Sequence, residues 1–365
     1  MMIVSKQHQI FFDFLRFSIG PKSEIPSSLK EADWKELYAI AKKQCLVGVL
    51  FDGIKKLPAE HVGMEKELLL QWMAESQMLE KANVRLNDAA ILVSEWFRKK
   101  GFRTCILKGQ GNALMYPNPY SRTPGDIDIW VEGGDKRVIS FVRSISPHEK
   151  ACYHHIEFPS YKGVEVEVHY RPSFLLCFWH NRKLQKYYER VKEEQFSHRL
   201  MLGEQGEIAI PMVEFNLIFQ LTHIYAHLMN EGIGLRQLLD YYYLISMLSV
   251  NCEMLTSLQK ELKELGLWKF AGAIMYIMQE VFGMPASRLI VPPNEKYGKF
   301  VLNEVLEAGN FGKHDERIRF GRSQLGHNLQ RVYRDMRLMK YFPAEAMSEP
   351  FFRVWHFFWR MKNKK

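Results

Sequence analysis

Two short segments of the chain alternate between apolar and acidic side chains over most of their length, and this alternation favours β-strands. The segments are Gly125–Glu132 and Val164–Tyr170. Successive side chains of a strand point to opposite faces, so each segment would present apolar residues to one face and acids to the other. The pattern predicts two strands that bury one face in a core and leave the acidic face open.

The acidic face of the first strand would carry Asp126 and Asp128, and a neighbouring second strand would add Glu167. Like charges this close repel, and a hard cation such as Mg²⁺ relieves the repulsion because it prefers oxygen ligands. Three carboxylates can hold two divalent ions about 4 Å apart, which suits displacement at phosphorus. A solvated strand face is the alternative, but the glycine before the pair and the later acidic strand favour a metal site.

A lysine and two glycines lie where a predicted strand, Phe102–Leu107, passes into a helical turn. In Lys108-Gly109-Gln110-Gly111 the glycines permit close backbone approach, helix-start N–H groups favour anions and the ammonium adds a charge for phosphate. An ordinary strand-to-helix turn is the alternative. The segment is neither a Walker A loop nor a Gly-x-Gly-x-x-Gly motif.

Helical periodicity flanks this β-containing block on both sides. We predict a helical region at 1–100, an α/β core at 101–210 and a helical domain at 211–365. The periodic runs and the further strand are Leu29–Phe51, Met64–Lys100, Cys152–Phe158, Glu214–Met229, Leu235–Leu248, Met254–Leu265 and Trp268–Phe282. The basic, aromatic segments Phe174–Arg190 and Phe351–Lys365 are predicted to pack as helices, with nucleic-acid and membrane contacts as their respective alternatives.

Composition excludes a disordered chain, because 47% of the residues are hydrophobic. The net charge of +9 favours anionic partners, including nucleotide phosphates and nucleic acid, without choosing among them. No apolar run approaches the roughly 18 residues of a membrane span, and the N-terminal residues are predicted to form an amphipathic helix rather than a signal peptide. Five scattered cysteines without a Cys-x-x-Cys pair favour a reducing, cytoplasmic setting.

Several of these motifs, in their order along the chain, resemble the bacterial nucleotidyltransferase family of the DNA polymerase β-like superfamily. The resemblance covers mainly residues 101–172, with weaker similarity at Leu221-Thr222-His223 and Leu235–Asp240. The motifs are Ile106-Leu107-Lys108-Gly109, Tyr116-Pro117-Asn118-Pro119, Arg122, Gly125-Asp126-Ile127-Asp128-Ile129 and Val166-Glu167-Val168-His169-Tyr170. The resemblance implies an α+β fold with a small mixed β-sheet, flanked by the N-terminal and C-terminal helical regions.

The same resemblance implies a two-Mg²⁺ site in which Asp126 and Asp128 are the aspartate pair and Glu167 is the third acid. Lys108-Gly109 stands where many members have Gly-Ser, and the third acid is more often Asp. We expect Lys108, Gly109 and Gln110 to hold the triphosphate of an NTP.

Three further residues are predicted to face the nucleotide cleft, namely Arg122, Arg236 and Asp240. Arg122 would hold phosphate or be solvated, and Asp240 would alternatively pair with Arg236, four residues before it. His223 and His227 are predicted to pack or to support the site rather than to bind metal. His169 would support the metal ligands or pack at the strand end.

The sequence therefore predicts an enzyme that transfers a nucleoside monophosphate from an NTP to an acceptor hydroxyl and releases pyrophosphate. The acceptor, a small molecule or a protein, and the base of the NTP stay open. A non-catalytic nucleotide-binding or interaction protein with the same fold is the main alternative. A nucleic-acid-modifying protein is compatible with the charge but is not favoured, because no RNA-binding module is evident.

Overall fold

The computed structural model describes residues 4–21, 24–204, 206–248, 252–313, 315 and 324–363. Helices occupy most of these ranges, as the periodicity predicts. They are α1 (Lys6–Ile19), α2 (Trp34–Lys43), α3 (Val47–Lys56), α4 (Lys66–Lys99), α5 (Gln110–Ala113), α6 (Gly134–Ile145), α7 (Phe178–Ser197), α8 (Val213–Asn230), α9 (Leu235–Ser246), α10 (Cys252–Glu264), α11 (Trp268–Glu280), α12 (Glu295–Ala308), α13 (Gln324–Met339) and α14 (Pro343–Lys362).

The N-terminal helices follow the predicted periodic runs with one difference. The run Leu29–Phe51 does not form one helix, because Cys45 adopts a left-handed φ of 56° and separates α2 from α3. The second run forms the single helix α4, whose 34 residues extend about 50 Å. A helix of this length reaches from the N-terminal helices to the back of the sheet.

A four-stranded sheet is formed by β1 (Thr104–Ile106), β2 (Ile127–Val131), β3 (His155–Tyr161) and β4 (Val164–His169), in the order β1-β2-β4-β3. The central pair β2 and β4 is parallel, and the outer pairs are antiparallel. The predicted α+β fold with a small mixed sheet and helical flanks is therefore confirmed. Strand β3 starts later than predicted, because the N–H of Cys152 bonds the carbonyl of His155 and closes a tight turn there.

A two-stranded hairpin follows α7 and consists of β5 (Arg199–Leu202) and β6 (Gly206–Ala209). Strand β5 lies outside every strand that the sequence predicts. Cross-strand pairing rather than local pattern creates β5.

Among the described residues, two hydrophobic cores hold the helices and strands together. The first lies behind the sheet, where Ile127, Ile129 and Val131 of β2 and the valines of β4 pack with residues of α4 and α6. The second joins the N-terminal helices to the C-terminal helices. Gln44, for example, donates to the carbonyl of Val305 at 3.1 Å and accepts from the N–H of Leu235 at 2.8 Å. The proposed boundaries at 100 and 210 stay a prediction.

The C-terminal helix α14 packs one face against the sheet domain. Phe352 stacks on Phe174 with ring centroids 5.1 Å apart, and Trp359 reaches the core behind the sheet. The opposite face leaves Phe351 and Phe358 exposed. Across the described ranges, every helix falls short of the combined length and apolarity that crossing a membrane requires.

Candidate active site

A cleft of about 820 Å³ opens between the acidic face of the sheet and the C-terminal helices. Helix α8 supplies His223 and His227, α9 supplies Arg236 and Asp240, and α14 forms the opposite wall. Small-molecule sites commonly enclose about 300–1,000 Å³, so the cleft is large enough for a nucleotide.

The three predicted acids meet at this cleft. In the parallel pairing of β2 with β4, Asp128 lies directly beside Glu167, and Asp126 immediately precedes β2. One carboxylate oxygen from each of the three residues lies within 4.8 Å of the others. The alternation of β2 sends Ile127 and Ile129 into the core, which fixes both aspartates on the cleft side.

Asp128 is held by two cationic groups. Its carboxylate lies 2.9 Å from the Lys108 ammonium and 2.9 Å from Nε2 of His169. Burial disfavours the charged form, but Lys108 and His169 outweigh it and keep the pKa of Asp128 well below its usual range. Asp126 behaves oppositely, because the charge of Asp128 and burial raise its pKa. A nearby cation would stabilise the ionised carboxylate of Asp126.

Lys108 connects the carboxylates to helix α8. Its Nζ lies 3.1 Å from Nε2 of His223, in addition to the contact with Asp128. Gly109 follows with a left-handed φ of 58° and starts α5, a conformation that favours glycine. The side chain of Gln110 is buried and donates to Asn87 of α4. Lys108 and Gly109 line the cleft, whereas Gln110 faces away from it.

Arg122 and Asp240 form a buried, bidentate ion pair. Nε and Nη2 of Arg122 each lie 2.8 Å from a carboxylate oxygen, and both side chains are about 95% buried. Tyr116 donates to the same carboxylate at 2.6 Å. Asp240 therefore pairs with Arg122 rather than with Arg236, and Arg122 is not solvated. The pair ties the proline-rich loop to α9.

Arg236 remains as a cation with few protein partners. Its Nη1 donates to the carbonyl of Thr123 at 3.0 Å, whereas its buried Nε has no hydrogen-bond partner in the described part of the chain. Burial and the neighbouring charge of Arg122 lower its pKa. Asp240 is paired with Arg122, so Arg122 is already neutralised. Arg236 is therefore more available than Arg122 to an anionic ligand in the cleft.

Sequence reasoning missed part of the cleft, namely His154 and His155 and the residues of α14. The antiparallel pairing of β3 with β4 sets His155 opposite His169 and beside Glu167. His155 was inside a predicted strand, but strand pattern does not give register. Burial lowers the pKa of His155 to about 4. For His169, burial is outweighed by Asp128 and Glu167, which raise the pKa to about 9.

His223 and His227 also meet at the cleft, with their Nε2 atoms 3.0 Å apart. Their i,i+4 spacing on α8 turns both rings toward the same side. Burial lowers the pKa of His223 well below its usual range. The pair lies beside Lys108, and its packing or supporting role stays a prediction.

Comparisons with known proteins show the family of the chain. Residues 30–283 match the model of a family described as uncharacterised nucleotidyltransferase. The chain matches no curated protein. Among solved structures, an antigenic nucleotidyltransferase-like protein from Paracoccidioides brasiliensis is similar at 12% identity, with a TM-score of 0.33 over 58% of this chain and 95% of that chain. Because the family match covers most of the chain, including the sheet and its carboxylates, the protein belongs to the uncharacterised nucleotidyltransferase family.

Proposed function

We propose that this protein is a Mg²⁺-dependent enzyme that transfers a nucleoside monophosphate from an NTP to an acceptor hydroxyl and releases pyrophosphate. The observation that carries the proposal is the convergence of Asp126, Asp128 and Glu167 within 4.8 Å at a nucleotide-sized cleft. The choice of metal, donor and acceptor goes beyond the family assignment.

The three acids fit a pair of divalent ions. They offer only oxygen ligands, which Mg²⁺ prefers, and the raised pKa of Asp126 reports a repulsion that a cation would relieve. Asp126 and Asp128 would hold both ions, and Glu167 would hold one of them. When bound, the ions would neutralise charge on the phosphoryl group in transfer.

The remaining cationic groups would hold the donor. The Lys108 ammonium lies at the cleft floor, where a nucleotide phosphate would compete with Asp128 for it. Arg236 also lines the cleft and would add a second positive charge toward the phosphates. Backbone approach at Gly109 is unobstructed by a side chain. These groups would orient the triphosphate, and orientation contributes much of the rate in phosphoryl transfer.

The acceptor hydroxyl would approach from the side of Glu167 and α14. Glu167 is only half-buried and could accept the proton that the hydroxyl loses. Phe352, Arg353 and His356 of α14 line the facing wall of the cleft. Acceptor choice would therefore depend on α14.

The test is calorimetric titration of the purified protein with each of the four NTPs, with and without Mg²⁺. Asp126→Asn should abolish Mg²⁺-dependent binding and pyrophosphate release in an acceptor screen, because it removes one shared carboxylate. Glu165→Gln is the matched control, since Glu165 lies on the same strand as Glu167 but is exposed. Unchanged transfer by Asp126→Asn would contradict the proposal.

One observation favours a second candidate, a non-catalytic nucleotide-binding protein. Lys108 and His169 already neutralise Asp128, so internal cations occupy part of the space that metal ions would use. Such a protein would bind an NTP equally well in excess chelator and release no pyrophosphate with any acceptor. Binding that requires Mg²⁺ would exclude it.

A further inference from the structure

A second group of metal-ligand side chains lies on the same sheet face as the three acids. It consists of His155, Glu167 and His169, and one donor atom from each lies within 4.8 Å of the others. Strand register brings the three residues together. His155 on β3 pairs with His169 on β4, and His169 lies two residues after Glu167 on the same strand. The group shares only Glu167 with the proposed Mg²⁺ site.

The spacing of the donor atoms matches a small tetrahedral ion. Oε2 of Glu167 lies 3.2 Å from Nδ1 of His155 and 3.4 Å from Nε2 of His169. A zinc ion bound at about 2.0–2.1 Å separates neighbouring tetrahedral ligands by roughly 3.3–3.4 Å. These two distances therefore match those of a tetrahedral site, and the two histidine nitrogens lie within 4.8 Å of each other.

The orientation of His169 is also that of a metal ligand. Its Nδ1 lies 3.3 Å from the backbone carbonyl of Arg171 and can donate to it. Nε2 then points at Glu167 and Asp128 from a side chain that is 3% exposed. Metal-binding histidines typically donate their second ring N–H to a carbonyl or carboxylate in this way.

We propose that His155, Glu167 and His169 bind a divalent transition metal, with Zn²⁺ as the best fit. Imidazole nitrogen suits zinc and its neighbours, whereas Mg²⁺ takes oxygen ligands, so this donor set selects a different ion from the aspartate pair. Two histidines and a glutamate with an open fourth position are a ligand set of catalytic zinc sites. The nitrogen-rich position would then lie beside the oxygen-ligated positions of the aspartate pair and share Glu167 with them.

The test measures the Zn²⁺ affinity of the metal-free protein by competition with a chromophoric chelator. Visible absorption of bound Co²⁺ reports whether nitrogen ligands and tetrahedral geometry are present. We expect His155→Gln to weaken Zn²⁺ binding at least tenfold and to remove the tetrahedral Co²⁺ spectrum. His148→Gln is the matched control, because His148 is exposed and outside the cleft.

Two further variants separate this site from its neighbours. Asp126→Asn should keep Zn²⁺ binding, and Cys152→Ser should keep it too, although Cys152, His154 and His155 form an alternative cluster. Zn²⁺ affinity that is unchanged in His155→Gln would overturn the proposal. Loss of Zn²⁺ binding in Asp126→Asn or Cys152→Ser would also overturn it, by assigning the ion to the aspartates or to the cysteine cluster.

The proposed zinc site does not depend on nucleotidyl transfer, so the experiments can contradict either proposal without the other. Zn²⁺ binding that requires His155, without Mg²⁺-dependent NTP binding, would contradict the proposed function alone. NTP binding that requires Asp126, with Zn²⁺ affinity insensitive to His155, would contradict the zinc site alone. Circular dichroism of each variant confirms that any loss of binding is not a loss of fold.

Discussion

Asp240→Asn removes the charge that holds Arg122 against α9. The carboxylate accepts two hydrogen bonds of 2.8 Å from Arg122, one of 2.6 Å from Tyr116 and one of 3.3 Å from Asn112. Asparagine has nearly the same shape but only one acceptor oxygen, and its amide N–H groups would face these donors. The substitution would leave the guanidinium of Arg122 buried and unpaired beside that of Arg236.

The loss of unfolding free energy in Asp240→Asn follows from the burial of the Arg122–Asp240 pair. Both side chains are no more than 5% exposed, and removing one partner of a buried pair costs about 3–5 kcal/mol. The matched control is Asp135→Asn, whose 2.9 Å pair with Arg171 is 23–34% exposed. Surface pairs contribute about 0–1 kcal/mol, so losing this half-buried pair should reduce the free energy of unfolding by much less than losing the Asp240 pair does.

Urea denaturation is monitored by tryptophan fluorescence in the absence of nucleotide. The urea midpoints of the variants are compared, provided that the dependence of the unfolding free energy on urea concentration is unchanged. The double variant Arg122→Met with Asp240→Asn should be less destabilised than the sum of the single variants, because it leaves no unpaired charge. Equal midpoints for Asp240→Asn and Asp135→Asn, or strictly additive effects in the double variant, would refute the assignment of this pair as a structural tie.

Two further predictions concern packing and pH. Gly48→Ala on α3 should destabilise the fold by about 1–3 kcal/mol in urea denaturation, despite the helix preference of alanine, because the new Cβ would overlap the carbonyl oxygen of Ser121. Gly63→Ala, whose Cβ would only contact Trp34 at 3.7 Å, is its control, and equal effects would contradict the overlap. Burial and the nearby Glu349 raise the pKa of Asp335 from 3.8 to about 7, so the folded state binds this proton more tightly than the unfolded state. Stability should therefore fall as pH rises from about 4 to 7, and Asp335→Asn should flatten this slope in thermal melts; an unchanged slope would contradict the shift.

The acidic strands show what local sequence determines. A strand has a side-chain period of two, so the alternation in Gly125–Glu132 and Val164–Tyr170 fixes which residues face the core and which face the cleft. The alternation sets Asp126, Asp128 and Glu167 on the cleft face, and the parallel pairing of β2 with β4 then brings them together. The helical flanks follow largely from local periodicity. The run Leu29–Phe51 departs from it, because a 3-10 turn at Ser27–Glu31 precedes α2 and the left-handed residue Cys45 ends it.

The partners of the charged residues depend on contacts that local pattern does not contain. Arg122 and Asp240 are 118 residues apart, and their pairing depends on the path of the intervening chain. Asp240 bonds Arg122 instead of its helical neighbour Arg236 because burying an ion pair requires good geometry on all its atoms, which the loop guanidinium supplies.

The sequence by itself determined the fold class, the two faces of the acidic strands and the identity of the three clustered carboxylates. Only the tertiary structure decided that His155 lies beside Glu167, that Lys108 and His169 neutralise Asp128, and that α14 closes the cleft. The physical reason is that side-chain direction is set by backbone geometry within a few residues. Register, loop path and helix docking are set by burial and pairing summed over the whole chain.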